Sequence, residues 1–106
     1  MELKELKASL EKIAPTAYRA FEKNNAVAPP FICYFVDDEK HSGADDKNYI
    51  RDELLIIELY TDKKDPETEG KLDKLFNGYE FEKHESRIED EALLQVAYHL
   101  PITEKI

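Results

Sequence analysis

Three glycines, one cysteine and no tryptophan occur in 106 residues, and no apolar run is long enough to cross a bilayer as a helix. So few glycines exclude a Gly-rich phosphate cradle of the usual kind. The lone Cys33 excludes an internal disulfide framework, and its place inside "FICYFV" is that of a small hydrophobe. The missing apolar run excludes a helical membrane span. No stretch has the make-up of a signal peptide, so the chain is expected to work, or to be assembled, in a reducing cytoplasm. Basic residues are also scarce: 15 Lys and Arg stand against 24 Asp and Glu, a net charge of −9. They form no cluster, whereas tracking phosphates requires one. Binding of nucleic acid to the outer surface and docking on an anionic membrane are therefore both disfavoured.

Apolar residues make up 42% and aromatics 10% of the chain, enough for the core of one small domain spanning residues 1–106. Over 2–13, "ELKELKASLEKI" places Leu3, Leu6, Leu10 and Ile13 on one helical stripe, and Pro15 ends it. The short "TAYRAFE", 16–22, suits an edge strand, and "KNNAVAPP", 23–30, a loop. "FICYFV", 31–36, is a strand apolar on both faces and so needs cover on both. "DDEKHSGADDKN", 37–48, is a charged loop. "YIRDELLIIELYT", 49–61, is the longest strand, polar in its outer half and apolar from Leu54 to Ile57, as if one end protruded.

The stretch "ELYTDKKDPETEGKLDKLF" then changes character. Asp65 suits a helix N-cap and Pro66 the first helical position. Glu67 and Glu69 favour the positive helix start. Leu72, Leu75 and Phe76 form the apolar stripe, and Asn77-Gly78 stops the helix. The charges here belong to a junction. "YEFEKHESRI", 79–88, and "ALLQVAYHLPI", 92–102, joined by the acidic "EDE", make a hairpin. The order α-β-β-β-α-β-β predicts an α+β domain: a mostly antiparallel sheet of four to five strands with two helices packed on one face.

Candidate chemistry is thin. His41, Asp45 and Asp46 lie close together but lack the further ligands of a zinc site and the alternating acids of a calcium loop. His84 and Glu85 are neighbours on a strand and point to opposite faces. Ser9, Ser42 and Ser86 have no nucleophile-elbow context. No catalytic residue, metal site or cofactor is expected. Aromatics and charges on the sheet face away from the helices, and on the protruding strand, are instead the candidate subunit or partner contacts: Tyr34, Tyr49, Arg51, Asp52, Glu53 and Tyr60. A chain with more apolar surface than one sheet-and-helix unit can hide would find cover in copies of itself or in neighbours.

The opening helix, the "APPFICYFV" strand, the "ADDKNY" loop, the "ELYTDKKDPE" junction and the terminal hairpin together resemble a family of small prophage proteins of Firmicutes. These sit among the head–tail joining proteins and are similar in element order to siphophage tail terminators, or tail-completion proteins. The resemblance covers nearly the whole chain and carries no catalytic signature. It implies a structural virion protein, assembled in the host cytoplasm, that forms a ring, usually a hexamer, on the tail end. The ring would dock to tail tube and head-completion proteins, with DNA only passing through its lumen. A small intracellular adaptor module, binding through the sheet face or a strand edge, is the alternative.

Overall fold

A computed structural model describes residues 3–21, 27–42 and 50–105, with backbone alone at 38–42, 50–51 and 103–105. The chain is an α+β domain with helices α1 (Leu3–Glu11) and α2 (Pro66–Leu75). Its strands are β1 (Thr16–Tyr18), β2 (Phe31–Ser42), β3 (Ile50–Thr61), β4 (Glu82–Ile88) and β5 (Leu93–Lys105). They form one five-stranded sheet in the order β1-β2-β3-β5-β4, antiparallel except where β1 runs parallel to β2.

Alternation along the strands builds the core. Ile32 and Tyr34 of β2, Leu55, Ile57 and Leu59 of β3, and Val96, Tyr98, Leu100 and Ile102 of β5 all turn to one face. There they meet Leu6 and Leu10 of α1 and Leu72 and Phe76 of α2. Both helices therefore cover the same face. The α1 stripe forms in part: Leu6 and Leu10 are buried, Ile13 is half-buried and Leu3 is exposed, and the helix closes through Ile13 and Ala14 N–H groups donating to the Leu10 carbonyl.

The Asp65 junction also forms as read. Asp65 accepts from Thr68 N–H at 3.1 Å and from the Thr68 hydroxyl at 2.6 Å, with Pro66 opening α2. These two bonds, the hydroxyl bond foremost, hold the Asp65 carboxyl below its usual pKa. Asp65→Ala is expected to lower stability by about 1 kcal/mol; equilibrium urea unfolding checks this, and an unchanged midpoint would remove the cap's role. At the other end, Gly78 takes φ +95° and turns the chain from α2 towards β4, a conformation that favours glycine.

Glu69 has a duty its position in the first helical turn does not reveal. It is 4% exposed and lies between two lysines. Lys83 of β4 sits 3.0 Å from Oε1. Lys64 sits 2.9 Å from Oε2 and donates to Oε1 at 3.0 Å, so the second oxygen is ion-paired without a well-aligned hydrogen bond. Lys64 also pairs with Glu85 of β4. Lys83 reaches Asp73 at 3.3 Å, and Tyr98 donates its hydroxyl to Asp73 at 3.0 Å. Two helical carboxylates and two lysines thus tie α2 to the outermost strand.

Several boundaries differ from the sequence reading: α1 ends at Glu11 and not 13, and β4 begins at Glu82 and not 79. The charged segment expected as a loop over 37–48 continues as strand to Ser42, with a register shift between Val36 and Asp38 and pairing onward to Ser42↔Ile50. Its backbone groups that face β3 pair across the two strands, and a polar ribbon carries no hydrophobic alternation. By the same pairing β5 runs to Lys105, beyond the expected 102. β1, in contrast, shrinks from 16–22 to three residues, because Arg19 adopts φ 68° and turns the chain away from β2.

Strands of 12 and 13 residues reach about 40 Å, whereas helices of 9 and 10 residues span about 15 Å. The sheet therefore overhangs its helical layer. Residues 37–42, 50–53 and 103–105 make up the overhang, with the buried Ile102 at its base, and their composition is mostly polar.

Candidate interaction face

Among the described residues no α-helix lies on the sheet face away from α1 and α2, and cross-strand register sets its rows. Phe31, Tyr60, Gln95 and Ser86 form one row. Cys33, Glu58, Ala97 and His84 form the next, and Phe35, Ile56, His99 and Glu82 the third. Each row runs from apolar on β2 to polar on β4. Only Cys33, Ile56 and Ala97 of these are buried.

At the β2 end the face hollows into a groove of about 450 Å³. Its floor is Phe31 stacked on Tyr60, ring centroids 4.9 Å apart and planes at 16°, with Cys33 beside them. Phe21 stands edge-on to Phe31 at 5.6 Å. Arg19 and Glu91 lie at the margins. The Arg19 guanidinium is 5.6 Å from the ring centroids of both Tyr18 and Phe35, a cation–π arrangement.

A polar network borders the floor. Gln95 donates to Glu58 at 3.0 Å and to the Tyr60 hydroxyl at 2.8 Å, and that hydroxyl donates to Glu58 at 3.1 Å. Burial pushes the Tyr60 phenol up to about 12, with the Glu58 charge adding to it against the Gln95 hydrogen bond. Burial, then the Glu58 charge, likewise pushes the Cys33 thiol up to about 11. A thiol so held is protonated at neutral pH and is a poor nucleophile. Further along, His84 lies 3.2 Å from Glu82 and its ring meets His99 edge-on at 4.8 Å. Among the described residues, no group of three His, Cys, Asp or Glu is arranged to hold a metal ion, and no helix is long and apolar enough to cross a membrane.

The candidate contacts separate. Tyr60 lies in the groove floor. Tyr34, 5% exposed, is on the opposite, helix-covered face, where it packs edge-on to Tyr18 at 5.2 Å; it belongs to the core and offers no contact surface. The reason is parity: Tyr34 pairs with Ile57, one residue out of step with the Phe31–Tyr60 row. Asp52 and Glu53 sit in the overhang, Glu53 opposite Ile102. Arg51 pairs with His41 and Glu104 by backbone register; its side chain, with Tyr49, Asp45 and Asp46, lies outside the described residues. The groove itself escaped the sequence reading. Of its residues, Arg19, Ala20 and Phe21 come from a segment read as an edge strand, Val27 from one read as a loop, Ile88 from a hairpin strand and Glu91 from a connection.

The two sheet edges differ. β4 is exposed along all but its last residue and carries Glu82, Lys83, Glu85 and Arg87, and charged edges discourage strand addition. β1 is only three residues long and pairs with Ile32–Tyr34 alone, so among the described residues β2 has no neighbour on that side from Phe35 to Ser42. The expected apolar overflow is correspondingly discrete. Among the described residues only Leu3, Tyr18, Val27 and Tyr79 are large hydrophobics exposed by more than a third. The uncovered face thus offers a groove and not a broad greasy surface.

No protein-family model matches the chain, and no curated protein sequence matches it.

Proposed function

We propose that the protein is a non-enzymatic structural component of a phage tail or neck, of the head–tail joining and tail-completion type. It acts by assembling as a ring, a hexamer by analogy, on the tail end. There it docks to the tail tube and head-completion proteins and lets DNA pass through the lumen. The observation that carries this reading is the one-sided helical layer: long strands overhang it, and the other sheet face holds an aromatic groove with no α-helix over it among the described residues. Sheets of this build find cover from neighbours. The net charge of −9 is of the same sign as DNA, so a ring of such chains repels the duplex and lets it slide.

Size-exclusion chromatography with light scattering, run over a concentration series with and without tail tube protein, tests the reading. The expected result is a closed oligomer that grows with concentration or on adding tail tube protein. A chain that stays monomeric at its highest soluble concentration, alone and with tail tube protein, refutes it. The groove also suits an adaptor module that takes a peptide as a monomer. That alternative uses the sheet face or the edge of β2 beyond Tyr34, and a genomic neighbourhood without portal, capsid and tail genes would favour it.

A further inference from the structure

A ring needs two unlike surfaces on each copy, one fitting the other on the next copy. The protein has two such surfaces. One is the groove, with an aromatic floor, lined by Arg19 on the β1 side and by Ile88 and Glu91 at its other end. The other is the turn between α2 and β4, at the opposite edge of the sheet, where Tyr79 is 42% exposed and Glu80 follows it. That turn is held in place. Gly78 sets its direction at φ +95°, and Tyr79 N–H donates to the Phe76 carbonyl at 2.9 Å, while Phe76 is fully buried. A large aromatic side chain on a fixed turn loses little conformational freedom on docking.

We propose that the Tyr79–Glu80 turn of one copy seats in the aromatic groove of the next, with Glu80 meeting Arg19. This interface rests on the ring reading above. The chemistry of the two halves matches. An aromatic side chain entering beside Phe31, Tyr60 and Phe21 gains edge and stacking contacts of the kind those rings already make among themselves. Arg19 is oriented by two rings and has no carboxylate partner among the described residues. Glu80 likewise has no ion pair among them, although its neighbours Glu82 and Lys83 do. The pair joins an aromatic groove lined by a cation to an exposed aromatic turn that carries an anion, neither charge having an ion-pair partner among the described residues.

The test is a charge exchange in the full chain, read by light scattering over a concentration series. Arg19→Glu and Glu80→Arg should each weaken self-association by roughly tenfold or more, and the double exchange should restore it. Tyr79→Ala should abolish it without reversing any charge. Thermal unfolding midpoints of Glu80→Arg and Tyr79→Ala should match the wild type, since both side chains are exposed. If the wild type forms its ring and these variants associate equally well, the interface is elsewhere and only the present inference fails. It fails too if both single reversals weaken association and the double exchange does not recover it. If the wild type never associates, alone or with tail tube protein, the ring reading fails and takes this interface with it.

Discussion

Phe76→Ala is expected to cost about 3–5 kcal/mol, the range for truncating a fully buried aromatic. Phe76 is wholly inaccessible and stands where three elements meet. Its ring lies 5.5 Å from Tyr98 of β5 and 6.2 Å from Phe81, just before β4. Its N–H donates to the Leu72 carbonyl at 3.0 Å, closing α2. Alanine would leave a cavity under the helix end, and the turn through Gly78 would lose its anchor. A domain of this size has about 5–15 kcal/mol of stability in all, so the loss is a large share of it. Urea unfolding measures it. Phe31→Ala is the control: Phe31 is only half-buried in the groove, and its loss should cost clearly less. Equal costs would mean that the groove, and not the helix-covered face, is the main core.

Raising the pH above 9 should progressively destabilise the protein. Three neutral groups are held protonated in the fold, each chiefly by burial. The Cys33 thiol moves from 9.0 to about 11, the Tyr60 phenol from 10.0 to about 12, and the Tyr98 phenol upward as well, with Asp73 beside it. The unfolded chain loses these protons first, so raising the pH favours it. The stability from Cys33 is whole below pH 9 and is lost as the pH climbs towards 11; that from the two tyrosines follows from pH 10 upward. Lys83 acts in the same sense. Burial pulls its pKa down, but hydrogen bonds to Glu69 and Asp73 outweigh this and leave it raised. The melting temperature should therefore hold level to pH 9 and then fall steeply. Cys33→Ala should remove the first part of the fall, on the order of 2 kcal/mol. A wild-type curve that stays flat from pH 9 to 11, or a Cys33→Ala curve parallel to it, would show that the thiol is not confined as described.

The sequence reading succeeded where the governing rules are local. The α1 stripe, the Asp65-Pro66 start and the Gly78 stop each depend on residues within a turn or two of one another. The long β3 strand, polar outside and apolar inside, was legible because its own composition changes along it. The reading failed where a partner decides. Nothing in "DDEKHS" marks a strand; it becomes one because β3 continues opposite it. Nothing in "PETEG" marks Glu69 as buried, since Lys83, which neutralises it, arrives fourteen positions later on another element. Tyr34 was placed on the wrong face, although "FICYFV" alternates correctly, because a strand apolar on both sides does not say which side the helices take.

The residues by themselves settled that this is one α+β unit with two amphipathic helices and an acidic surface, because periodicity, caps and charge act over a few neighbouring positions. Tertiary structure alone decided which sheet face is covered, how far the strands overhang and where the aromatic groove lies. Those features depend on register between segments far apart in the chain, and a shift of one residue in that register would turn every side chain of a strand to the other side.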